Sequence, residues 1–134
     1  MITNKKFKIL AFSDIHGNQT TLEKLAKRAK DDDVDIVIIN GDFSSPTNEN
    51  NAPPNLIGPF LSHGKKVFVL PGNHESESTI QLLEETYGVK GLHGAYALID
   101  KEIGIFGCGG ASVGPIVTSE QEIFERSRNP KQNI

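Results

Sequence analysis

Phe7-Lys8-Ile9-Leu10-Ala11-Phe12-Ser13-Asp14-Ile15-His16 is a short apolar run that ends in Asp-x-His. Two later stretches repeat this order. Ile36 to Ile39 is wholly apolar and runs into Asn40-Gly41-Asp42, and Lys66 to Leu70 runs into Pro71-Gly72-Asn73-His74-Glu75. Apolar runs this short, bounded by turn residues, are of strand length. Between the first two, Thr20 to Lys30 places Leu22, Leu25, Ala26 and Ala29 at helical spacing. Strand-helix alternation is the pattern of parallel βαβ units, and continuous apolar strands suit a sheet covered on both faces. The expected fold is therefore α/β, layered, with a mainly parallel central sheet. In such a sheet all three polar motifs lie outside the carboxyl ends of their strands, where open α/β sheets build their sites.

The remaining elements follow from the same signals. Thr20 with Glu23 reads as a capping box for the first helix, and Ser78 with Gln81 as one for a helix over Ser78 to Tyr87, stopped by Gly88. Leu56 to Leu61 is a short helix weakened by Gly58 and Pro59. Ala95 to Asp100 and Ile103 to Cys108 are two further strands around a turn at Asp100-Lys101. A glycine-rich loop spans Gly107 to Gly114, Ser119 with Glu122 caps a last helix, and Ser127 to Ile134 is a polar end. Asn40 to Pro54 is a long polar loop, and long loops in compact domains carry function. No internal repeat is present, and residues 1–134 read as a single domain.

Composition narrows the classes. The chain has 134 residues, 37% hydrophobic and 23% charged, which is ordinary globular composition and excludes wholesale disorder. No apolar run approaches the ~20 residues of a membrane helix, and the basic start does not read as a signal peptide, so no membrane partner is expected. A net charge of −3 gives no broad grip on nucleic acid but leaves small phosphorylated substrates open. One cysteine, Cys108, excludes an internal disulfide framework and a thiolate zinc site, and the expected location is cytoplasmic.

The polar motifs have the chemistry of a metal site. Asp14 and His16 are two apart, so an extended segment would point both side chains the same way and make a carboxylate-imidazole pair for a divalent transition metal. Asp42 has two oxygens and can bridge two ions, while Gly41 permits close backbone approach. Asn73 offers a neutral carbonyl ligand, and His74 beside it can be a ligand or an acid. Each motif alone is compatible with a polar turn. Their placement after three successive strands is what distinguishes them. Glu75 is read as orienting a neighbour or starting the next helix. His63, before the third strand, is read as a solvated loop residue, His93 as a turn residue, Cys108 as a small buried group, and Asp31 to Asp35 as a solvated acidic loop. The glycines around Cys108 fit either a phosphate-facing backbone or a tight turn.

At Asp14-Ile15-His16, Gly41-Asp42 and Gly72-Asn73-His74-Glu75 the chain resembles the calcineurin-like metallophosphoesterases, which are read by Asp-x-His, Gly-Asp and Gly-Asn-His-Glu in that order after strands. Leu92-His93-Gly94 and the Gly107 to Pro115 loop are similar to the small, prokaryotic-type members. The resemblance implies a site for two divalent transition metal ions (Mn, Fe or Zn). Asp14 and His16 would bind the first, Asp42 would bridge, Asn73 would bind the second, and His74 would contact phosphate and assist the leaving oxygen. It implies hydrolysis of a phosphomonoester or phosphodiester.

The family pattern continues with an isolated histidine and then Gly-His-x-His. After Glu75 the chain has one histidine, His93, and no Gly-His-x-His follows Arg126. The expectation is therefore half of a metallophosphoesterase α/β/β/α sandwich: a truncated domain with an incomplete second metal site, weak turnover by itself, and self-association as a homo-oligomer through the last two strands, Ala95 to Cys108. The alternative is a non-catalytic metallophosphoesterase-like module. A nucleotide-binding module without metal is disfavoured, because no Gly-x-Gly-x-x-Gly or Gly-Lys-Ser/Thr follows the first strand.

Overall fold

A computed structural model describes residues 6–44, 56–99 and 103–129, with the backbone of 131–132. The elements run β1 (Ile9–Phe12), α1 (Gln19–Asp31), β2 (Ile36–Asn40), α2 (Gly58–Leu61), β3 (Lys66–Leu70), α3 (Glu77–Tyr87), β4 (Lys90–Gly91), β5 (Ala95–Leu98), β6 (Gly104–Gly107), α4 (Glu120–Arg128) and β7 (Lys131–Gln132). The expected polar loop from Asn40 to Pro54 beyond Ser44, and the turn at Asp100-Lys101, lie outside the described residues.

Two sheets form. β1-β2-β3-β4 is wholly parallel, with Ile9 opposite Ile36 and Ile36 opposite Lys66. The second sheet has the order β6-β5-β7, with β5 and β6 antiparallel and β5 and β7 parallel. Strand alternation sorts the core into two layers. Val37, Ile39, Val67 and Val69 face the helices and pack with Leu22 and Ala26 of α1, Phe60 of α2, and Ile80 and Leu83 of α3. Ile36, Phe68 and Leu70 face the other way and pack with Ala97 of β5 and Ile105 beside it in β6. The order of layers is helices, parallel sheet, second sheet. Each fully buried Leu, Ile or Phe stabilises this arrangement by about 1.5–3 kcal/mol before entropy is counted. Leu22, Ile36, Ile39 and Phe60 are of that kind.

The α/β layering and the parallel order of the first three strands match the sequence reading, and the local differences have physical causes. β1 is an edge strand, paired only to β2 among the described residues, and Ile9 is 48% exposed. Its apolar run therefore does not mark cover on both faces. Both helix caps fall earlier than the capping boxes suggested. Asn18, whose Oδ1 accepts from Thr21 N–H at 3.0 Å, caps α1, and Ser76, whose hydroxyl accepts from Thr79 N–H at 3.3 Å, caps α3. A better-placed acceptor just upstream outcompetes the box residue. Ser119 caps α4 and Gly88 ends α3 at φ 70°, both as read from the sequence.

The acidic run is not merely solvated. Asp31 pairs with Lys27 at 2.5 Å, Asp32 with Arg28, and Asp33 with Lys65 at 2.9 Å, while Asp35 accepts from the Lys8 N–H at 2.9 Å. The polar end is not uniformly irregular either, because Lys131 and Gln132 add the two-residue β7 to the second sheet.

Candidate metal centre

The loop after β1 is joined to the loop after β2 by successive backbone bonds. Asp14 N–H donates to Gly41 C=O at 3.2 Å, His16 N–H to Asp42 C=O at 3.0 Å, and Gly17 N–H to Phe43 C=O at 3.0 Å. The segment is not extended, which corrects the geometry expected for Asp-x-His. Asp14 has φ 58°, His16 φ 49° and Asp42 φ 51°. Left-handed backbone is costly for non-glycine residues and persists where surrounding structure imposes it. Here the joined backbones impose it, and all three side chains come to one place.

The loop after β3 closes the arrangement. Gly41 and Gly72 touch backbone to backbone: a Cβ on Gly41 would stand 2.8 Å from the Gly72 Cα, and one on Gly72 would stand 2.1 Å from Asp42 Oδ1. Only glycine fits either position. Beneath them lies the Glu75 carboxylate, fully buried. Its Oε1 accepts from the N–H groups of Asp42 at 2.6 Å and Gly72 at 2.9 Å, and its Oε2 from Ser44 N–H at 3.1 Å. Glu75 thus satisfies three backbone donors and ties the second loop to the third. Of the two roles read from the sequence, orienting its neighbours is the one it has; α3 begins beyond it, at Glu77.

Donor atoms of Asp14, His16 and Asp42 all lie within 4.8 Å of one another. His16 Nε2 is 3.5 Å from Asp14 Oδ1. The Ser13 hydroxyl donates to Asp14 Oδ2 at 2.6 Å, and this bond, reinforced by the His16 charge, holds the Asp14 carboxyl below its usual range. Asn73 N–H donates to Asp42 Oδ1 at 2.9 Å. The Asn73 amide also faces the Asp42 carboxylate. With its nitrogen turned inward it donates to the two oxygens at 2.6 and 2.9 Å; with its oxygen turned inward, only acceptors face one another. The His74 ring stands edge-on to His16, with centroids 5.3 Å apart.

The group that meets is therefore two carboxylates and an imidazole, with the Asn73 amide and the His74 ring alongside. Mixed oxygen and nitrogen donors suit Mn, Fe or Zn, whereas calcium takes oxygen alone. The residues fit a divalent transition metal at Asp14, His16 and Asp42, with Asn73 against the Asp42 carboxylate.

The Calcineurin-like phosphoesterase family model matches residues 7–128. The chain belongs to that family. A comparison with curated proteins gave no match. The phosphoesterase match covers the three loops that meet here and, of the second sheet, β5 and β6.

Other residues fall outside this centre. His63 is exposed beyond α2. Cys108 is half-buried, and burial raises its thiol pKa. The glycine-rich loop uses its N–H groups internally: Gly109 N–H donates to His93 Nδ1 at 3.0 Å, and Gly110 N–H to Pro71 C=O at 2.8 Å. This decides between the two readings of the loop in favour of a turn. The backbone bonds between the first two loops and the His93–Gly109 bond were missed by sequence reasoning, because nothing in residue spacing marks them. No helix among the described residues is long and apolar enough to cross a membrane.

Proposed function

We propose that the chain is a metal-dependent phosphoesterase that hydrolyses a small phosphomonoester or phosphodiester. The observation that carries this reading is the meeting of Asp14, His16 and Asp42 from two joined loops, within 4.8 Å, in a chain of the phosphoesterase family. Paired divalent ions, when bound in such a site, polarise a phosphoryl group and supply a nucleophilic water at neutral pH. Asp14 and His16 are assigned to the first ion, Asp42 to the bridge and Asn73 to the second. His74 is assigned to the phosphate and to the leaving oxygen, where a donor is needed as charge develops.

The second ion has the poorer set. Among the described residues it draws on Asn73 and the shared Asp42, since His63 lies elsewhere and His93 bonds to Gly109. This favours a second reading in which the 134-residue chain holds one ion well and turns over slowly. The experiment is hydrolysis of an aryl phosphate and a bis-aryl phosphate in Mn²⁺, by this chain and by a version extended to supply further histidines. The proposal expects turnover that rises with the added histidines and is lost in Asp42→Asn. Absence of metal-dependent turnover in both versions contradicts the enzymatic reading and leaves the non-catalytic module.

A further inference from the structure

We propose that His93 is a positioning residue of this centre: its neutral ring latches the glycine-rich loop against the strand end that carries Asn73. The proposal rests on the reading of Asn73 as a ligand. His93 follows β4 and forms an isolated parallel bridge with Gly107, at the end of β6. Its Nδ1 accepts from Gly109 N–H at 3.0 Å, so the neutral ring carries its proton on Nε2. Nε2 itself is buried without a partner among the described residues.

From Gly109 the contact continues to the metal loop. A Cβ on Gly109 would stand 2.3 Å from the Pro71 carbonyl oxygen, so the two backbones lie flush. Gly110 N–H donates to that same oxygen at 2.8 Å, and the Thr118 hydroxyl donates to Gly109 C=O at 2.9 Å. Farther along the loop, a Cβ on Gly114 would stand 2.6 Å from the Asn73 carbonyl oxygen. The loop thus bears on Pro71 to Asn73 at two points, and His93 ties down its root. Asn73 is held on one side by Asp42 and on the other by this loop. A neutral ligand at an exposed strand end depends on such support, because small displacements of catalytic geometry are costly.

The latch requires an unprotonated Nδ1. Charged groups face the ring from the two helices packed beside it: Arg126 and Glu122 from α4, and Glu77 from α3. Burial, followed by Arg126, holds His93 below its ordinary 6.5, against the opposing pull of the two glutamates. Protonation would set a donor on Nδ1 against the Gly109 donor and open the latch.

The test compares His93→Leu, which removes the acceptor, with His93→Asn, whose side-chain oxygen restores one near the Nδ1 position. Amide exchange is read on metal-free protein, and Mn²⁺ affinity is read separately. The latch predicts about tenfold faster exchange at Gly109, Gly110 and Asn73 in His93→Leu, the loss expected for one hydrogen bond. It predicts unchanged exchange at Val37 and Val67, recovery in His93→Asn, and weaker Mn²⁺ binding in His93→Leu alone. Loop amides as protected as in wild type, or acceleration shared equally by Val37 and Val67, overturn the proposal. Should His93→Leu fail to fold, the wild-type Gly109 amide resonance decides. It must titrate with His93, at a midpoint below 6.5, and a resonance that ignores His93 overturns the latch. The metal-free exchange reads the latch even if the centre binds no Mn²⁺, so failure of the two readings is distinguishable.

Discussion

The loops that end β1, β2 and β3 are bound to one another by a run of backbone bonds and by one buried carboxylate, whereas the loop after β6 meets them through the bond from Gly110 N–H to Pro71 C=O and through close backbone contacts at Gly109 and Gly114. In the first region three N–H groups of one loop donate to three consecutive carbonyls of the next, and Glu75 collects three more from beneath. In the second, α4 buries no residue, Phe124 is 56% exposed, and Leu98 and Phe106 of the β5–β6 pair are open to solvent. The positions of Asp14, His16 and Asp42 are therefore set by the framework of the parallel sheet. The second region adds cover for Ile36, Phe68 and Leu70, a latch at His93, and a bare apolar surface.

The largest effect is expected at Glu75. Glu75→Ala leaves three part-buried or buried N–H groups without their acceptor, at about 1–3 kcal/mol for each unsatisfied group. Denaturant unfolding should show a loss of at least about 3 kcal/mol, together with loss of metal binding. A variant as stable as wild type would break the contrast between the regions.

Gly72→Ala comes next. Its methyl would meet Asp42 backbone and carboxylate at 2.6 and 2.1 Å, and overpacking of this kind costs about 1–3 kcal/mol. Mn²⁺ affinity should fall along with stability, because the displaced atom is an oxygen of Asp42, which the proposed function assigns to the metal.

A smaller, pH-dependent effect belongs to His93. Its folded pKa lies below the ordinary 6.5, so the unfolded chain binds the proton more readily. The stability contributed by the neutral ring is complete above 6.5 and is lost as pH falls through the folded pKa. Thermal melts of wild type and His93→Leu should therefore converge on acidification below 6.5, and a constant difference between them contradicts the assignment.

Much of this was legible in the sequence. The apolar runs ending in Asp14, Asp42 and Asn73 located the parallel strands and the site edge, because a buried strand and its polar exit leave a compositional step. Gly41 announced close backbone approach; that Gly72 is its partner in that contact was not read. The left-handed backbone at Asp14, His16 and Asp42 was not legible, since it is imposed by bonds between loops distant in sequence. The exposure of β1 was equally hidden: the apolar run Ile9 to Phe12 reads the same at an edge as at a centre. Asn18 and Ser76 displaced the expected caps because several acceptors stood near each helix start. The short, polar β7 carries no pattern that composition could reveal.

The smallest effect on stability is expected in the second region. Phe106→Ser should change stability by no more than about 0.5 kcal/mol, as for surface positions generally. The same change should reduce the self-association proposed for the Ala95 to Cys108 strands, since exposed apolar patches seek partners. Denaturant unfolding checks the first and sizing at high concentration the second; a wild-type chain that stays monomeric contradicts the association.

The central claim is that the joined loops make a divalent metal centre from Asp14, His16 and Asp42. Its most direct test is a Mn²⁺ titration of the wild-type chain beside Asp14→Ala and Asp42→Ala, with folding checked by circular dichroism. The account predicts saturable Mn²⁺ binding by the wild type and its loss in both folded variants. Equal binding by all three proteins would contradict it.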